Sequence, residues 1–134
     1  PEMEQAGVEY HQEIDASLEA LVDPEQIKRA LFNLMQNAVQ AMKEGGDLRV
    51  KAHEENGHAL VEVVDSGPGI SRAVQQRLFE PFFTTKEKGS GLGLAIVRKT
   101  LEENQGRIEV DSEEGHGTVC RVYLPRSVQG PQYR

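Results

Sequence analysis

Three glycines at alternate positions, Gly89, Gly91 and Gly93, constrain this chain more than any other feature of its sequence. Glycine has no Cβ, so the backbone there can adopt positive φ angles and approach a ligand closely. An amphipathic helical pattern follows from Leu94 onward. The free N–H groups and the dipole at a helix N-terminus favour an anion such as phosphate. The stretch is interpreted either as a phosphate-binding loop or as a mobile loop before a helix.

Two common phosphate-binding loops are excluded by the spacing of this stretch. A dinucleotide-binding fingerprint requires glycine or alanine three positions after Gly93, where the chain has Ile96. The polar segment 84–88 also stands where that fingerprint requires an apolar strand. A P-loop requires Gly-Lys-Ser/Thr, which this chain lacks. A phosphate site here would therefore belong to another fold.

Size and charge limit the remaining possibilities. The chain has 134 residues, which fit one domain with one core, and its net charge of −7 disfavours nucleic acid as a partner. The single Cys120 excludes an internal disulfide, so we expect a cytoplasmic domain in a reducing compartment. The start at Pro1 suggests a fragment of a longer protein. We divide the chain into a domain over residues 1–126 and a disordered tail over 127–134, which lacks periodicity and carries Gly-Pro.

Periodicity and capping signals predict the elements of this domain. Asp23 and Pro24 are typical of an N-cap and a first helical residue, and they predict a helix through Met42 that ends at Gly45-Gly46. A short helix over 71–78, capped by Ser71, and a last helix to about Asn104 are also predicted. Alternating patterns predict strands over 8–14, 18–22, 47–54, 58–65, 107–111 and 117–124.

Two asparagines on the first long helix are candidates for cation binding. Asn33 and Asn37 are four residues apart, so they lie one above the other on a single helical face. One interpretation is that both amides hydrogen-bond to neighbouring loops. The other is that they offer carbonyl oxygens to a hard cation such as Mg²⁺.

A second candidate is the segment Asp65-Ser66-Gly67-Pro68-Gly69-Ile70, which follows a predicted strand directly. These residue types are common in an ordinary turn. Alternatively, the Asp65 carboxylate accepts a hydrogen bond from the exocyclic amine of adenine, and the glycines let the base approach the backbone. Guanine would present an acceptor to the same carboxylate.

The region between these segments and the last helix predicts a mobile cover over the site. Three of the four phenylalanines fall within residues 79–83, which indicates a hydrophobic latch beneath a mobile segment. Lys86 and Lys88 would extend that segment over bound phosphates. Cys120 shares a strand face with Val122, which predicts a small core residue and not a nucleophile.

Together, four stretches resemble the ATP-binding catalytic domain of bacterial sensor histidine kinases, in the GHKL superfamily that also holds gyrase, the Hsp90 chaperones and MutL. They are residues 33–38 (N box), 65–70 (first glycine box), 79–86 (F box) and 89–96 (second glycine box). The residues of these motifs look like those of the nitrogen-regulation (NtrB-like) branch of these kinases. The resemblance implies an α+β fold, the Bergerat two-layer α/β sandwich, with a mixed sheet of about five strands and three helices on one face.

The resemblance also implies roles for individual residues. Asn37 would ligate Mg²⁺ with Asn33 beside it, Asp65 would accept from adenine, and Arg77 would approach the γ-phosphate of ATP. Further contacts to ATP or ADP are implied for Ala41, Gly67, Gly69, Ile70, Thr84, Thr85, Lys86, Gly89, Ser90, Gly91, Leu92, Gly93, Leu94 and Thr118. Of these, Lys86 joins Asn33 and Arg77 as a candidate catalytic residue.

Two departures from the superfamily pattern bear on the reaction. Its ATP-hydrolysing members carry a glutamate four residues before the Mg²⁺-binding asparagine, where this chain has Asn33. Asparagine cannot accept a proton at neutral pH, so we expect slow hydrolysis and transfer to a protein histidine instead. Gln40 stands where many relatives have a phosphate-contacting lysine, which leaves that contact to Arg77, Lys86 and Lys43.

The family's acceptor histidine lies in a helical dimerisation segment, and none of the four histidines here has the matching sequence context. The expected partners are a histidine-bearing dimerisation domain of the same kinase and a cognate response regulator. We expect this fragment to be monomeric and the full-length kinase to be a homodimer. Two alternatives stay open: a serine kinase of the anti-sigma type, and a nucleotide-binding regulatory module without phosphotransfer.

Overall fold

Five strands form one mixed sheet in the computed structural model, which describes residues 7–15, 18–81 and 93–126. Neighbours in the sheet follow the order β1-β2-β3-β5-β4. β1 runs parallel to β2, and the other neighbouring pairs are antiparallel. The strands are β1 (Val8–Ile14), β2 (Gly46–Glu55), β3 (His58–Asp65), β4 (Arg107–Ser112) and β5 (Thr118–Pro125).

The first long helix, α1, spans Pro24–Ala41 and begins as its sequence predicts. The Asp23 side chain accepts hydrogen bonds from the N–H groups of Glu25 (3.0 Å) and Gln26 (3.3 Å), which have no partner within the helix. Its buried residues recur every three or four positions and form one stripe: Ile27, Ala30, Leu34 and Ala38. This spacing places the stripe against the sheet and leaves the opposite side of α1 in solvent.

The last helix, α3, spans Gly93–Glu103 and is tied to the start of α1 by one side chain. The side-chain oxygen of Asn104, Oδ1, accepts from Asp23 N (2.8 Å), and its side-chain nitrogen, Nδ2, donates to Gln26 Oε1 (2.9 Å). Gly106 N donates to Leu101 O (2.7 Å), which ends the helix where the sequence predicted. The two long helices therefore lie side by side with fixed ends.

The core lies between these two helices and one face of the sheet. Val97 and Leu101 of α3 are fully buried beside the stripe of α1. The sheet contributes the alternate residues of its central strands: Leu48, Val50, Ala52, Val61, Val63, Val122 and Leu124. The predicted α+β architecture, a five-stranded mixed sheet with helices packed on it, is confirmed.

Residues 18–22 are not a strand, so this prediction was wrong. The segment passes the end of β5, where Leu21 N donates to Pro125 O (2.8 Å), and Leu18, Ala20 and Val22 pack against the core. Alternate apolar residues suit this role as well as a strand, because a chain that covers the end of a core also buries every second side chain.

The short helix is shorter than predicted. α2 spans Arg72–Gln75, with the Ser71 hydroxyl accepting from Val74 N (3.2 Å) as a cap. Beyond it, hydrogen bonds connect residues three apart, as from Arg77 N to Val74 O (2.9 Å), so the chain continues in tight turns.

Several predictions concern residues that the structure does not describe. They are the mobile cover over residues 84–90, the glycines Gly89 and Gly91, and the tail over 127–134. Within the described ranges, no helix combines the length and apolar character needed to cross a membrane.

Candidate functional site

A cavity of about 90 Å³ lies between α1 and the ends of β3 and β5. Its wall is mostly apolar, with polar groups from Asn37, Asp65 and Thr118. The lining residues are Leu34, Asn37, Ala38, Ala41, Val63, Asp65, Gly69, Ile70, Leu78, Leu94, Val110, Thr118 and Cys120. A mainly apolar cleft with a few placed polar groups is the usual form of a small-molecule site.

Asp65 is the last residue of β3 and pairs with Thr118, the first residue of β5. Its Oδ1 accepts a hydrogen bond from Gly67 N (2.9 Å), which fixes the carboxylate. Burial raises the pKa of Asp65 above its usual value, although hydrogen bonds from the backbones of Gly67 and Thr118 act in the opposite direction. The site thus holds a partly desolvated acceptor whose proton affinity is higher than that of an exposed aspartate.

The loop after Asp65 is pressed against the turn between β4 and β5. Gly115 N donates to Pro68 O (2.6 Å), and Ile70 N donates to the Ser112 hydroxyl (2.8 Å). Gly69 has φ +78°, and a Cβ there would lie 2.2 Å from Glu113 O. The sequence suggested that this glycine admits the base. The structure adds a second requirement, because only glycine fits against the turn.

Gly117, in the turn between β4 and β5, also packs too closely on another backbone segment to carry a side chain. It has φ +84°, and a Cβ there would lie 2.2 Å from Asp65 O. The turn that contains Gly117 therefore contacts the backbone of the residue that carries the acceptor. Two glycines, one on each segment, allow the loop and the turn to pack backbone to backbone.

Cys120 lies in the cavity wall beside this acceptor. The prediction of a small inward-facing residue agrees with its position, partly buried and packed against the core. Burial raises the pKa of its thiol to about 12, and the charge of Asp65 adds to the effect. The thiol is therefore neutral at physiological pH, which does not suit a nucleophile.

The two asparagines of α1 differ in position. Asn37 lines the cavity, whereas Asn33, one turn earlier and half-buried, is not among the described lining residues. One helical turn displaces a side chain by roughly 5 Å along the axis, which separates neighbours on the same face. Of the pair, only Asn37 shares this space with Asp65.

The predicted site residues fall into three groups: those that line the cavity, described residues that do not line it, and residues outside the described ranges. The cavity brings together Asn37, Ala41, Asp65, Gly69, Ile70, Leu94 and Thr118. Among the described residues, Asn33, Gly67, Arg77 and Gly93 do not line it. Thr84, Thr85, Lys86, Gly89, Ser90, Gly91 and Leu92 lie outside the described ranges. Exposed Arg77 directs its Nε to Glu80 Oε1 (3.1 Å), an ion pair three residues along the chain.

Sequence reasoning missed two residues that hold the site together. Ser112 contacts Ile70, Gly117 and Thr118 through its hydroxyl, and the Gln75 amide donates to Ile70 O (2.8 Å) and Ser112 O (2.9 Å). The available signal was the pairing of the last two strands, which sets Ser112 directly opposite Thr118. No local pattern marks Gln75, because both of its partners are in other segments.

A mixed sheet with two long helices on one face and an acceptor-bearing cleft at its strand ends defines an α+β domain that binds a small molecule. The family of histidine kinase-, DNA gyrase B- and HSP90-like ATPases matches residues 22–128. The chain belongs to this family and carries its catalytic ATPase domain, which is an ATP-binding domain. The resemblance to sensor histidine kinases is confirmed.

Individual relatives agree with this assignment. The signal transduction histidine-protein kinase AtoS of Escherichia coli is 37% identical over 96% of this chain and 21% of its own length. Sporulation kinase E of Bacillus subtilis is 44% identical over 77% of this chain and 14% of its own length. The chain thus spans about a fifth or less of these two relatives. The catalytic domain of the histidine kinase ThkA has a TM-score of 0.80 and 34% identity, covering 92% of this chain and 82% of that one.

Proposed function

We propose that this domain holds Mg²⁺-ATP in the cleft and transfers the γ-phosphoryl group to a histidine on a separate dimerisation domain. One observation carries the proposal: the Asp65 carboxylate and the Asn37 side chain line the same cavity. An acceptor for the adenine amine and a residue type that can ligate a hard cation therefore lie in the wall of one cavity.

The strand ends receive the base. Asp65 accepts from the exocyclic amine, and Thr118 lies beside it as its partner in the sheet. Ile70 and Leu94 contribute apolar wall on which the ring packs, with Ala41 at the helix side. Gly67 and Gly69 shape the loop, Gly67 by donating to the Asp65 carboxylate.

The helix wall faces the phosphates. Asn37 offers its side-chain oxygen as a ligand for Mg²⁺, which neutralises phosphate charge when it is bound. Asn33 lies one turn earlier on α1 and cannot act as a base for water, which favours transfer over hydrolysis. Arg77 is the proposed cation for the γ-phosphate, and its ion pair with Glu80 is exposed, which makes that pair weak.

Other phosphate contacts rest on the sequence alone. Lys86 is the proposed cation of the F box, with Thr84 and Thr85 before it. The second glycine box would surround the phosphates with backbone N–H groups from Gly89, Ser90, Gly91, Leu92 and Gly93. Phosphoryl transfer depends mainly on positioning and charge neutralisation, so the domain needs no nucleophile of its own.

The partners lie outside this chain. We infer that the partners are a histidine-bearing dimerisation domain of the same kinase and a response regulator that receives the phosphoryl group. We also infer that this fragment is monomeric by itself and that the full-length kinase is a homodimer. The relatives support this proposal because one is named a signal transduction histidine-protein kinase and another a sporulation kinase, and both are several times longer than this chain. Full-length ShkA, 29% identical with a TM-score of 0.82, has been solved with AMPPNP, an ATP analogue.

Phosphotransfer to a supplied partner tests the proposal. The domain is mixed with a histidine-bearing dimerisation domain of a sensor histidine kinase, Mg²⁺ and γ-labelled ATP, and label on the partner is followed after acid and alkali treatment. Acid-labile, alkali-stable label that disappears when the acceptor histidine is replaced supports a histidine kinase. Acid-stable label on serine would instead indicate the anti-sigma type of kinase.

Controls separate binding from transfer. Asp65→Asn and Asn37→Ala should each lower the rate of labelling, whereas Asp111→Asn, an exposed carboxylate paired with Arg121 (3.5 Å), should not. The same mixtures are assayed for ADP binding by calorimetry. Nucleotide binding without label on several dimerisation domains, including one from the native kinase, would contradict the transfer step and favour a regulatory module.

A further inference from the structure

Ser112 occupies the point where the base-binding loop, the β4–β5 turn and the cavity meet. It is the last residue of β4 and is half-buried opposite Thr118. Its Oγ lies 2.8 Å from Ile70 N, 2.9 Å from Gly117 O and 2.8 Å from Thr118 Oγ1. Of these three partners, Ile70 and Thr118 line the cavity.

The proton on each hydroxyl follows from the chemistry of the partners. A backbone N–H can only donate, so Ser112 accepts from Ile70. A carbonyl oxygen can only accept, so Ser112 gives its single proton to Gly117 O. The remaining contact joins two hydroxyls, and Ser112 has no second proton to give. Thr118 must therefore donate to Ser112.

This assignment decides what Thr118 offers to a ligand. Its only hydroxyl proton is directed toward Ser112, which does not line the described cavity, so any hydrogen bond between this hydroxyl and a ligand must have the Thr118 oxygen as acceptor. The ionised Asp65 carboxylate next to it is also an acceptor. Two adjacent acceptors complement N–H donors such as the 6-amino group of adenine, whereas guanine has a carbonyl oxygen at that position.

Gln75 connects the backbone of Ile70 with the backbone of Ser112. Its Nε2 donates to Ile70 O (2.8 Å) and to Ser112 O (2.9 Å), so one amide connects the loop and the end of β4. The Ser112 hydroxyl is thereby held at a fixed distance from both Ile70 and Thr118. A serine on a flexible turn would be free to rotate and exchange partners.

We propose that Ser112 is a positioning residue for base recognition: it accepts the hydrogen bond that the Thr118 hydroxyl donates and so fixes Thr118 as an acceptor toward the nucleotide. The inference rests on the proposed function, since it concerns the same cleft and adenine as its base. It predicts that Ser112, which is not a lining residue of the described cavity, controls the preference for adenine over guanine.

A double-mutant cycle tests this coupling. ADP and GDP affinities are measured by calorimetry for the wild type, Ser112→Ala, Thr118→Val and the double variant. Each single substitution should lower the ratio of ADP to GDP affinity about three- to tenfold, the size of one neutral hydrogen bond. Ser112→Ala should cause no further loss in the Thr118→Val background, because its effect passes through the threonine hydroxyl.

Matched variants separate positioning from general damage. Ser71→Ala removes a hydroxyl that also accepts from one backbone N–H, at the cap of α2, and should have the same effect in both backgrounds. Ser112→Thr keeps a hydroxyl and should restore the ratio. If Ser112→Ala is unfolded by circular dichroism, Ser112→Cys replaces it under the same criteria, since its thiol is a weak donor and acceptor.

The outcomes distinguish this inference from the proposed function. Absence of ADP binding by the folded wild type would overturn the proposed function. ADP binding with an unchanged ADP-to-GDP ratio in Ser112→Ala would overturn the inference alone. Losses that multiply in the double variant would also overturn it, because Ser112 would then act independently of Thr118.

Discussion

The two walls of the cleft are built differently. The strand wall, around Asp65 and Thr118, is a network in which loop, turn and strand ends are joined by hydrogen bonds of 2.6–2.9 Å. The helix wall presents side chains from α1, chiefly apolar, with Asn37 as its polar group at the described cavity. One wall depends on contacts between distant segments, and the other on the spacing within a single helix.

This difference suggests a division of tasks. Under the proposed function, selecting a base requires donors and acceptors at fixed positions, and the hydrogen bonds of Ser112 and Gln75 hold the strand wall in one arrangement. Binding a hydrated cation requires only an oxygen ligand, because Mg²⁺ keeps several of its own waters. Substitutions in the strand wall should therefore change base selectivity, and substitutions on the helix wall should change metal dependence.

The largest expected effect comes from breaking the backbone contact of the strand wall. Gly69→Ala introduces a Cβ 2.2 Å from Glu113 O at φ +78°. Backbone strain and the displaced turn should lower the free energy of unfolding by about 3 kcal/mol or more. Urea denaturation measures this loss, and calorimetry should show weakened ADP binding in the protein that remains folded.

Gly57→Ala is the matched control for this substitution. Gly57 has a similar φ of +81°, but a Cβ there meets nothing within 4 Å. It should cost only the intrinsic penalty of left-handed backbone, about 1–2 kcal/mol. Equal losses for the two variants would show that close packing of the loop on the turn contributes little.

An intermediate effect is expected from Asp65→Asn. Asparagine has one side-chain oxygen, and Gly67 N–H occupies it in the observed geometry, so an NH₂ group would face the base. ADP affinity should fall by about 1–3 kcal/mol, the cost of an unsatisfied buried group. Calorimetry at neutral pH measures the change, with Asp111→Asn as the exposed control.

The pH dependence sharpens this prediction. Burial raises the pKa of Asp65, so the wild type should lose ADP affinity as the pH falls through that raised value and the acceptor is protonated. The same group should stabilise the free fold on acidification, because the native state binds the proton more tightly than the unfolded chain. Asp65→Asn should remove both pH-dependent contributions. Identical pH profiles in the two proteins would contradict the assignment.

The smallest expected effect belongs to the helix wall. Asn37→Ala should reduce the ratio of ADP affinity with and without Mg²⁺ toward one, a change of about 1 kcal/mol for a single neutral ligand. Selectivity for adenine over guanine should be unchanged. Titrations of ADP and GDP with and without Mg²⁺ measure both quantities, and Gln36→Ala on the same helix serves as the control. A loss of base selectivity in Asn37→Ala would contradict the assignment of base selection to the strand wall alone.

Most elements could be predicted because their signals are local. The Asp23–Pro24 cap, the apolar spacing of α1 and the β2–β3 hairpin depend on residues close together in sequence, which interact in the same way in many folds. The family resemblance also assigned Asn37, Asp65 and Thr118 to one site, and the cavity brings them together. The prediction for residues 18–22 was wrong, because alternation does not distinguish a paired strand from a segment that covers a core.

The sequence by itself determined the order of the helices and of the five strands, the apolar faces and the residues that are expected to meet a nucleotide. Only the tertiary structure decided which groups hold those residues in place. The strand order β3-β5-β4 brings Ser112 to the loop at Ile70, forty-two positions away along the chain. Contacts of this kind leave no periodic trace, because hydrogen-bond partners are chosen by proximity in the folded sheet and not by spacing along the backbone.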